Sequence, residues 1–361
     1  MEMKKRIAVI YGDGVGPEMM KPALRVLETV CRRFGHEIEL LPVEAAGDAI
    51  LKYGTPLPET SVEICRNADA VLFGNSGLRR FNDYPPEKRP EYALLRLRKE
   101  LKVTTNIRPI RIYRKLMPLS PLRQERLKGG MDMVFVRDIV GGVLASEKKK
   151  GVGSHGQEAY EYEYYNEDII RQTAEIAFSL AEQRRRRVTS LDKANVLGSS
   201  RLWRKTVEIT AKEYPDISLE NCFVDSGAMQ LIREPWRFDV VLSSNMFGDI
   251  ISDEGTELTG TPFLYGSAEI NSSGKGIYTP NQLHWGDESA IGRQIVNPIG
   301  MIEAVRLMLQ LSFGWQQEAG CIGKAISEVL NMGYATPDIM LEGSRQVSTD
   351  KMGELIAEAV G

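Results

Sequence analysis

Two carboxylates four residues apart, Asp249 and Asp253, follow an apolar segment in Gly248-Asp249-Ile250-Ile251-Ser252-Asp253. If this stretch is helical, that spacing sets both acids on one face, where like charges repel and the pair needs a reason to exist. Two reasons are open: acids near a helix N-terminus, favoured by its dipole, or a Mg²⁺ or Mn²⁺ site built from hard oxygen ligands. Asp225, in Val224-Asp225-Ser226-Gly227-Ala228-Met229-Gln230, also ends an apolar-flanked segment and is a third candidate ligand. Three arginines stand nearby in type if not in sequence. Arg98 and Arg108 bracket Asn106-Ile107, and Arg137 closes the apolar run 133–136. Guanidinium forks at strand ends suit bidentate capture of carboxylates, although each arginine taken singly reads first as a salt-bridge partner. Lys193, in Leu191-Asp192-Lys193-Ala194-Asn195, follows a further strand as a general base or an electrostatic anchor.

The elements that must hold these groups alternate in type. A strand is expected over 7–11, then the turn Gly12-Asp13-Gly14-Val15-Gly16-Pro17, then a helix with Met20, Ala23, Leu24, Leu27, Val30 and Cys31 on one face. Pro17 suits a first helical turn, where its missing N–H costs nothing. Pro22 points to a kink or a later start. Further strands are expected at 38–43, 70–73, 133–136, 188–191 and 238–243, with helices over 167–184 and 200–214. Strands separated by helices predict an α/β fold with a largely parallel sheet. The turn fails the G-x-G-x-x-G template because Pro17 occupies the third glycine position, so a Rossmann site is not the favoured reading, and Glu39 alone is a weak ribose acceptor. Residues 266–283, rich in Gly, Ser, Asn and Pro, read as a long functional loop.

Composition narrows the function classes. The chain has 361 residues, 42% apolar and 26% charged, with 46 Lys+Arg against 49 Asp+Glu. At roughly 150 residues per domain this predicts two domains. A formal charge of −3 argues against a nucleic-acid partner. The basic runs Lys148-Lys149-Lys150 and Arg184-Arg185-Arg186-Arg187 lack interleaved aromatics and read as solvated surface. No apolar run reaches the roughly 18–20 residues of a membrane span, so no membrane partner is expected, and the first residues show no signal-peptide pattern. Four dispersed cysteines and three histidines disfavour disulfides, zinc and iron–sulfur centres; a cytoplasmic protein is expected.

Taken in order, these segments resemble the β-decarboxylating dehydrogenases of 2-hydroxy acids, the family of 3-isopropylmalate, isocitrate, homoisocitrate and tartrate/D-malate dehydrogenases. Gly12-Asp13-Gly14-Val15-Gly16-Pro17-Glu18 resembles the family's opening GDGIGPE, and the stretch 98–108 its L-R-K…N-L-R-P segment. Thr189-Ser190-Leu191-Asp192-Lys193-Ala194-Asn195-Val196-Leu197 resembles TSVDKANVL, residues 224–231 resemble VDNAAMQL, and Asn245-Met246-Phe247-Gly248-Asp249-Ile250-Ile251-Ser252-Asp253 resembles NLFGDILSD. The resemblance implies a two-domain isopropylmalate/isocitrate dehydrogenase-like fold, with a cofactor-side domain from residues 1–103 and 256–361. Residues 104–255 would form the dimerisation and metal/substrate domain of an obligate homodimer with shared active sites. Arg98, Arg108 and Arg137 would hold the carboxylates of a small-molecule hydroxydiacid. Asp249 and Asp253, with Asp225 of the partner subunit, would bind Mg²⁺ or Mn²⁺, and Lys193 of the partner subunit would assist proton removal from the C2 hydroxyl. Glu91, Leu94 and Leu95 precede Arg98 as in the isopropylmalate branch. Glu91 would lie on the cofactor side, and the leucines would favour an apolar C3 substituent, because burying an unpaired third carboxylate costs several kcal/mol.

His284, Gly286, Ser289 and Asn297 fall on the family's adenosine-binding loop H-G-S-A-P-D-I-A-G…A-N-P. Ser289 stands at the ribose-binding Asp and no Lys replaces it to meet a 2′-phosphate. NAD is therefore the expected cofactor, with NADP as the alternative and Arg293 the residue that would favour it. The chain also departs from the pattern. Leu144 stands where the family carries the tyrosine that protonates the enolate carbon, and Thr279 replaces the Glu of E-P-x-H, with two extra residues before His284. The implied activity is metal-dependent oxidative decarboxylation of a 3-alkylmalate-like diacid. The alternatives are a tartrate/D-malate-like dehydrogenase with weak or no decarboxylation, and a catalytically weak regulatory or binding homologue.

Overall fold

The computed structural model describes residues 4–283 and 288–361. The chain divides into two compact units, one of Met1–Val103, Tyr113–Ser120 and Gly260–Gly361, the other of Thr104–Ile112 and Pro121–Thr259. The longer strands are β1 (Lys5–Gly12), β2 (Ile38–Pro42), β3 (Ala70–Asn75), β4 (Thr105–Arg111), β5 (Asp132–Asp138), β6 (Lys149–Gly153), β7 (Gly156–Tyr160), β8 (Arg187–Asp192), β9 (Ser218–Phe223), β10 (Val240–Ser243), β11 (Gly266–Ile270) and β12 (Gly276–Pro280).

In the first unit the strand order is β2-β1-β3-β12-β11, parallel except for the β11–β12 pair. Residues 7–10 and 70–73 are buried throughout, the near-continuous apolar runs of strands covered on both faces. The helix Gly16–Phe34 takes Pro17 in its first turn, as its chemistry requires, and runs on through Pro22 without a later start. The opening glycines are demanded by close approach. A Cβ on Gly12, whose φ is 75°, would lie 1.9 Å from the Asn75 carbonyl oxygen, and one on Gly16 would lie 2.3 Å from that of Tyr11.

The stretch 266–283 is not one long loop. It contains the antiparallel hairpin β11–β12, in register Ser267↔Thr279 and Glu269↔Ile277, and both strands are fully buried. The polar composition belongs to the turn. The Asn271 side-chain oxygen accepts from the backbone N–H of Ser273 at 3.0 Å and of Lys275 at 3.2 Å, with Gly274 left-handed at φ 82°.

In the second unit the order is β4-β5-β10-β8-β9, with β5, β10, β8 and β9 parallel and β4 antiparallel to β5. The run 184–187 is a latch as well as surface. Arg184 bonds Asp132 at 2.7 Å and the buried Asp239 at 2.8 Å, while the N–H of Arg185 donates to the same Asp239 at 2.9 Å. An acid buried at the entry to β10 needs a countercharge, and the first arginine of the run supplies it. β6 and β7 form a separate two-stranded ribbon, in which every β7 residue is exposed.

Candidate active site

The second unit gathers its candidate residues where the parallel strands end, the usual place for ligands in open α/β sheets. Register sets Ser243, the last residue of β10, level with Arg137 on β5 and Leu191 on β8, while Asp192 pairs with Phe223 on β9. Lys193 follows β8 directly, Asp225 opens the helix after β9, and the helix Asn245–Glu257 starts just beyond β10. Short connections thus turn a parallel register into a row of charged groups.

Asp249 and Asp253 lie on the helix Asn245–Glu257, whose first turn carries no acid. The dipole reading of the pair therefore falls away: these carboxylates sit too far along to answer the N-terminal field. Arginines balance them instead. Arg108 donates from Nη1 to Asp253 and to Ser252 Oγ, both at 2.8 Å, and its Nη2 lies 3.8 Å from Asp249. Arg137 donates to Asp249 from Nη1, and from Nε and Nη2 to the Asn245 side-chain oxygen at 3.2 and 2.8 Å. The guanidinium groups are largely buried, but Asp249 and Asp253 are 44% and 58% exposed, leaving oxygen atoms open to a ligand. Arg108 Nε is buried with no acceptor among the described residues. Gly248 makes room, since a Cβ there would come within 2.8 Å of the Arg137 side chain.

A supporting layer went unseen in the sequence. Asn245 holds Arg137 with its side-chain oxygen and donates from its amide to the Gly141 carbonyl at 2.8 Å. Its backbone N–H donates to the Tyr165 hydroxyl, also at 2.8 Å, and Tyr165 bonds Asp138 beside Arg137. Burial pushes the Asp138 carboxyl up to about 6 against the pull of the Gly141 and Val140 N–H groups, and burial raises the Tyr165 phenol too. The only sequence signal for Asn245 was its place at the head of the Asn245–Asp253 motif; Tyr165 had none.

Lys193 and Asp225 meet each other, at 2.8 Å. The Lys193 hydrogen bond holds the exposed Asp225 carboxyl below its ordinary range. The turn carrying Lys193 is fixed by the buried Asp192, which takes a two-pronged contact from Arg204 at 2.8 and 2.9 Å and the Ala194 N–H at 2.9 Å. Among the described residues no three His, Cys, Asp or Glu side chains gather as a metal cluster.

In the first unit, Arg98 on the helix Tyr92–Glu100 is engaged by Glu269 of β11, with Nε to Oε2 at 2.8 Å and Nη2 on Oε1. One turn earlier on this helix Leu94 is buried, whereas Leu95 is 47% exposed. Glu91 directs Oε1 toward Gly77, where a Cβ would come within 2.6 Å, and its Oε2 is buried with no partner among the described residues. An orphaned buried acceptor of this kind fits an N–H donor of a bound ligand. Asp13 in the opening turn accepts from the N–H of Gly47 at 2.7 Å and of Gly77 at 3.0 Å. Glu18 accepts from the N–H of Gly292 and, at 3.0 Å, of Gln294. The motif read as a plain turn thus braces two loops. Ser289 is exposed in the short turn Glu288–Ala290. Asn297 is buried and committed, donating to Asp338 at 3.0 Å and accepting from the Ile299 N–H at 3.0 Å. His284 and Gly286 lie outside the described residues.

Known proteins are similar to this chain in sequence and in fold. The family model described as isocitrate/isopropylmalate dehydrogenase matches residues 6–356. The chain is 42% identical over 351 residues to the 3-isopropylmalate dehydrogenase of Clostridium acetobutylicum, covering 97% of this chain and 98% of that one. It is 43% identical to the enzyme of that name from Thermotoga maritima, covering 98% of each. Among solved structures, isocitrate dehydrogenase from Methylococcus capsulatus is similar with a TM-score of 0.84 at 28% identity, covering 99% of both chains. A match along nearly the whole length, together with the α/β fold and the arginine–aspartate helix, leads to one conclusion: this chain belongs to the isocitrate/isopropylmalate dehydrogenase family.

Proposed function

We propose that the protein oxidises and decarboxylates a 2-hydroxy diacid bearing an apolar group at C3, with NAD as hydride acceptor and Mg²⁺ or Mn²⁺ as its metal, working as a homodimer. The observation that carries this reading is the way Arg137 of β5 and Arg108 of β4 interleave with Asp249 and Asp253 along one face of the helix Asn245–Glu257. Exposed carboxylate oxygens at helical spacing fit a hard divalent cation, and the forks beside them fit the carboxylates of its substrate. When bound, NAD would supply the hydride acceptor for C2 and the cation the polarisation of its oxygen.

The chain's own residues do the remaining work. Arg98, Arg108 and Arg137 are read as carboxylate ligands that fix C2 and C3, converting binding energy into orientation. Lys193, paired with Asp225, moves the C2 hydroxyl proton, and both serve the partner subunit's site while Asp225 adds a third carboxylate oxygen for the cation. Exposed Leu95 offers apolar surface to the C3 substituent. Glu91 Oε2, a buried acceptor, would take an N–H donor of the bound cofactor, and Ser289, Asn297, His284 and Gly286 would belong to its adenosine side. Support for the homodimer comes from the β6–β7 ribbon. Two short strands with no buried face are marginal alone in water, and this ribbon exposes Val152 and Tyr160 at 83% and 47%.

Purified protein with Mn²⁺ and NAD is expected to generate NADH from a 3-alkylmalate, with CO₂ released in step. Failure to produce NADH from any 3-substituted malate or tartrate, with NAD or NADP, overturns the reading. A second reading rests on Leu144, which is 47% exposed on the turn Val143–Ala145 and has no proton to give. In that reading the alcohol is oxidised and decarboxylation lags. NADH outrunning CO₂ in the same assay identifies it, and Leu144→Tyr restores the balance.

A further inference from the structure

We infer that Glu269 sets the charge selectivity of the substrate site by neutralising and orienting Arg98. The inference rests on the reading of Arg98 as a carboxylate ligand, and it adds a residue that no part of that reading contains. Glu269 sits in β11, 4% exposed, inside the stretch whose composition suggests a loop. Its two oxygens take the Nε/Nη2 edge of the Arg98 guanidinium. A guanidinium has a second edge, Nη1/Nη2, which Glu269 leaves to other acceptors.

Two consequences follow from electrostatics. First, the fork is held in plane by a buried strand residue rather than left on a flexible stem, so its orientation toward a carboxylate is fixed. Second, the pair carries no net charge. A buried acid beside the arginine raises the cost of bringing in further anions, because like charges in a weakly screened site repel strongly. A substrate with two carboxylates and an apolar C3 group is accepted, while a carboxymethyl group at C3 meets Glu269. Selectivity of this kind is built by repulsion as much as by fit. Register adds a detail. Ser267 and Thr279 are paired, so Glu269 and Thr279 are diagonal neighbours on one sheet face. Thr279 is the position where the family carries a glutamate, and in this chain the acid stands one diagonal step away.

The test compares kcat/KM for a 3-alkylmalate and for the analogue with a C3 carboxymethyl group, in wild type, Glu269→Gln and Glu269→Asp. In E269Q the ratio of carboxymethyl to alkyl substrate is expected to rise at least tenfold. E269D keeps the charge but shortens the reach, so KM is expected to rise for both substrates with the ratio held within twofold. Should the glutamine side chain prevent folding, Glu269→Ser gives the same readout with space for water at the guanidinium. A ratio unchanged in E269Q or E269S, with both substrates losing activity together, shows a merely structural ion pair and overturns the inference. A ratio that rises equally in E269D overturns the charge argument as well. If the wild-type enzyme oxidises neither substrate nor any other 3-substituted malate, the functional reading itself fails, and this inference with it.

Discussion

Asp13 directly follows a strand and the Asp249/Asp253 pair sits on the helix that follows another, and their surroundings are opposite. Asp13 is 3% exposed, and its oxygens are taken by the Gly47 and Gly77 N–H groups. Burial pushes its carboxyl up to about 6, against the weaker pull of the Gly77 and Gly47 N–H groups and of Arg80. Asp249 and Asp253 are half-exposed, carry arginine partners and leave oxygen surface open. The first arrangement spends a carboxylate on the backbone and fixes loops. The second keeps its carboxylates available and fixes the arginines around them. Within one chain, the number of committed acceptor sites separates an acid that braces the fold from an acid that meets a ligand.

The comparison breaks if the exposed acids prove dispensable. Asp253→Asn and Asp249→Asn are each expected to lower kcat/KM by roughly a thousandfold or more in NADH assays, with weakened Mn²⁺ binding by titration and little change in thermal midpoint. A loss below tenfold would return the pair to a structural role. Next in size is Lys193→Met, expected to cost about 10²–10⁴ in kcat, the range of a removed acid–base group. Its rate is expected to rise more steeply with pH than the wild type's, as hydroxide replaces the missing proton acceptor; a parallel pH profile would mean that Lys193 only anchors Asp225.

For Asp13 the expected effect is on stability. Its folded pKa lies above its unfolded value of 3.8, so the native state binds the extra proton between about 4 and 6. Below 4 both states are protonated and nothing is lost; as pH rises through 6 this group withdraws about 2–3 kcal/mol. Asp13→Asn should therefore flatten the fall in thermal midpoint between pH 4 and 6.5 while leaving KM for substrate near wild type. An unchanged slope would show that the buried carboxyl does not titrate there. Smallest is Glu39→Gln. Glu39 is half-exposed and 3.7 Å from Arg6, so stability should change by no more than about 0.5 kcal/mol. KM for NAD should also hold; a tenfold rise would revive Glu39 as a ribose acceptor.

Much of the site chemistry was legible because short motifs keep their local geometry. The spacing of Asp249 and Asp253 means one face in any helix, and Lys193 and Arg137 end strands whose apolar runs are visible in the sequence. What stayed hidden depended on distant segments. The 266–283 stretch looked like a loop because its polar residues dominate the composition, while its two strands are short and owe their burial to neighbours. Asn245 and Tyr165 gave no sign of joining Arg137, since that network unites residues 80 to 108 positions apart. Arg184 looked like solvated surface until Asp239 was found buried beside it.

By itself, the sequence determined the α/β class, the absence of the G-x-G-x-x-G turn, the motif order that marks the family, and the acids and arginines available for chemistry. These follow from hydrophobic periodicity and from residue types at fixed local spacing, which need no knowledge of what folds against them. Only the tertiary structure decided the pairings: Arg108 with Asp253, Lys193 with Asp225, Arg98 with Glu269, and Asp13 with the Gly47 and Gly77 N–H groups. A charged side chain's partner, burial and ionisation depend on which remote segment supplies the opposing group, and packing alone brings that segment near.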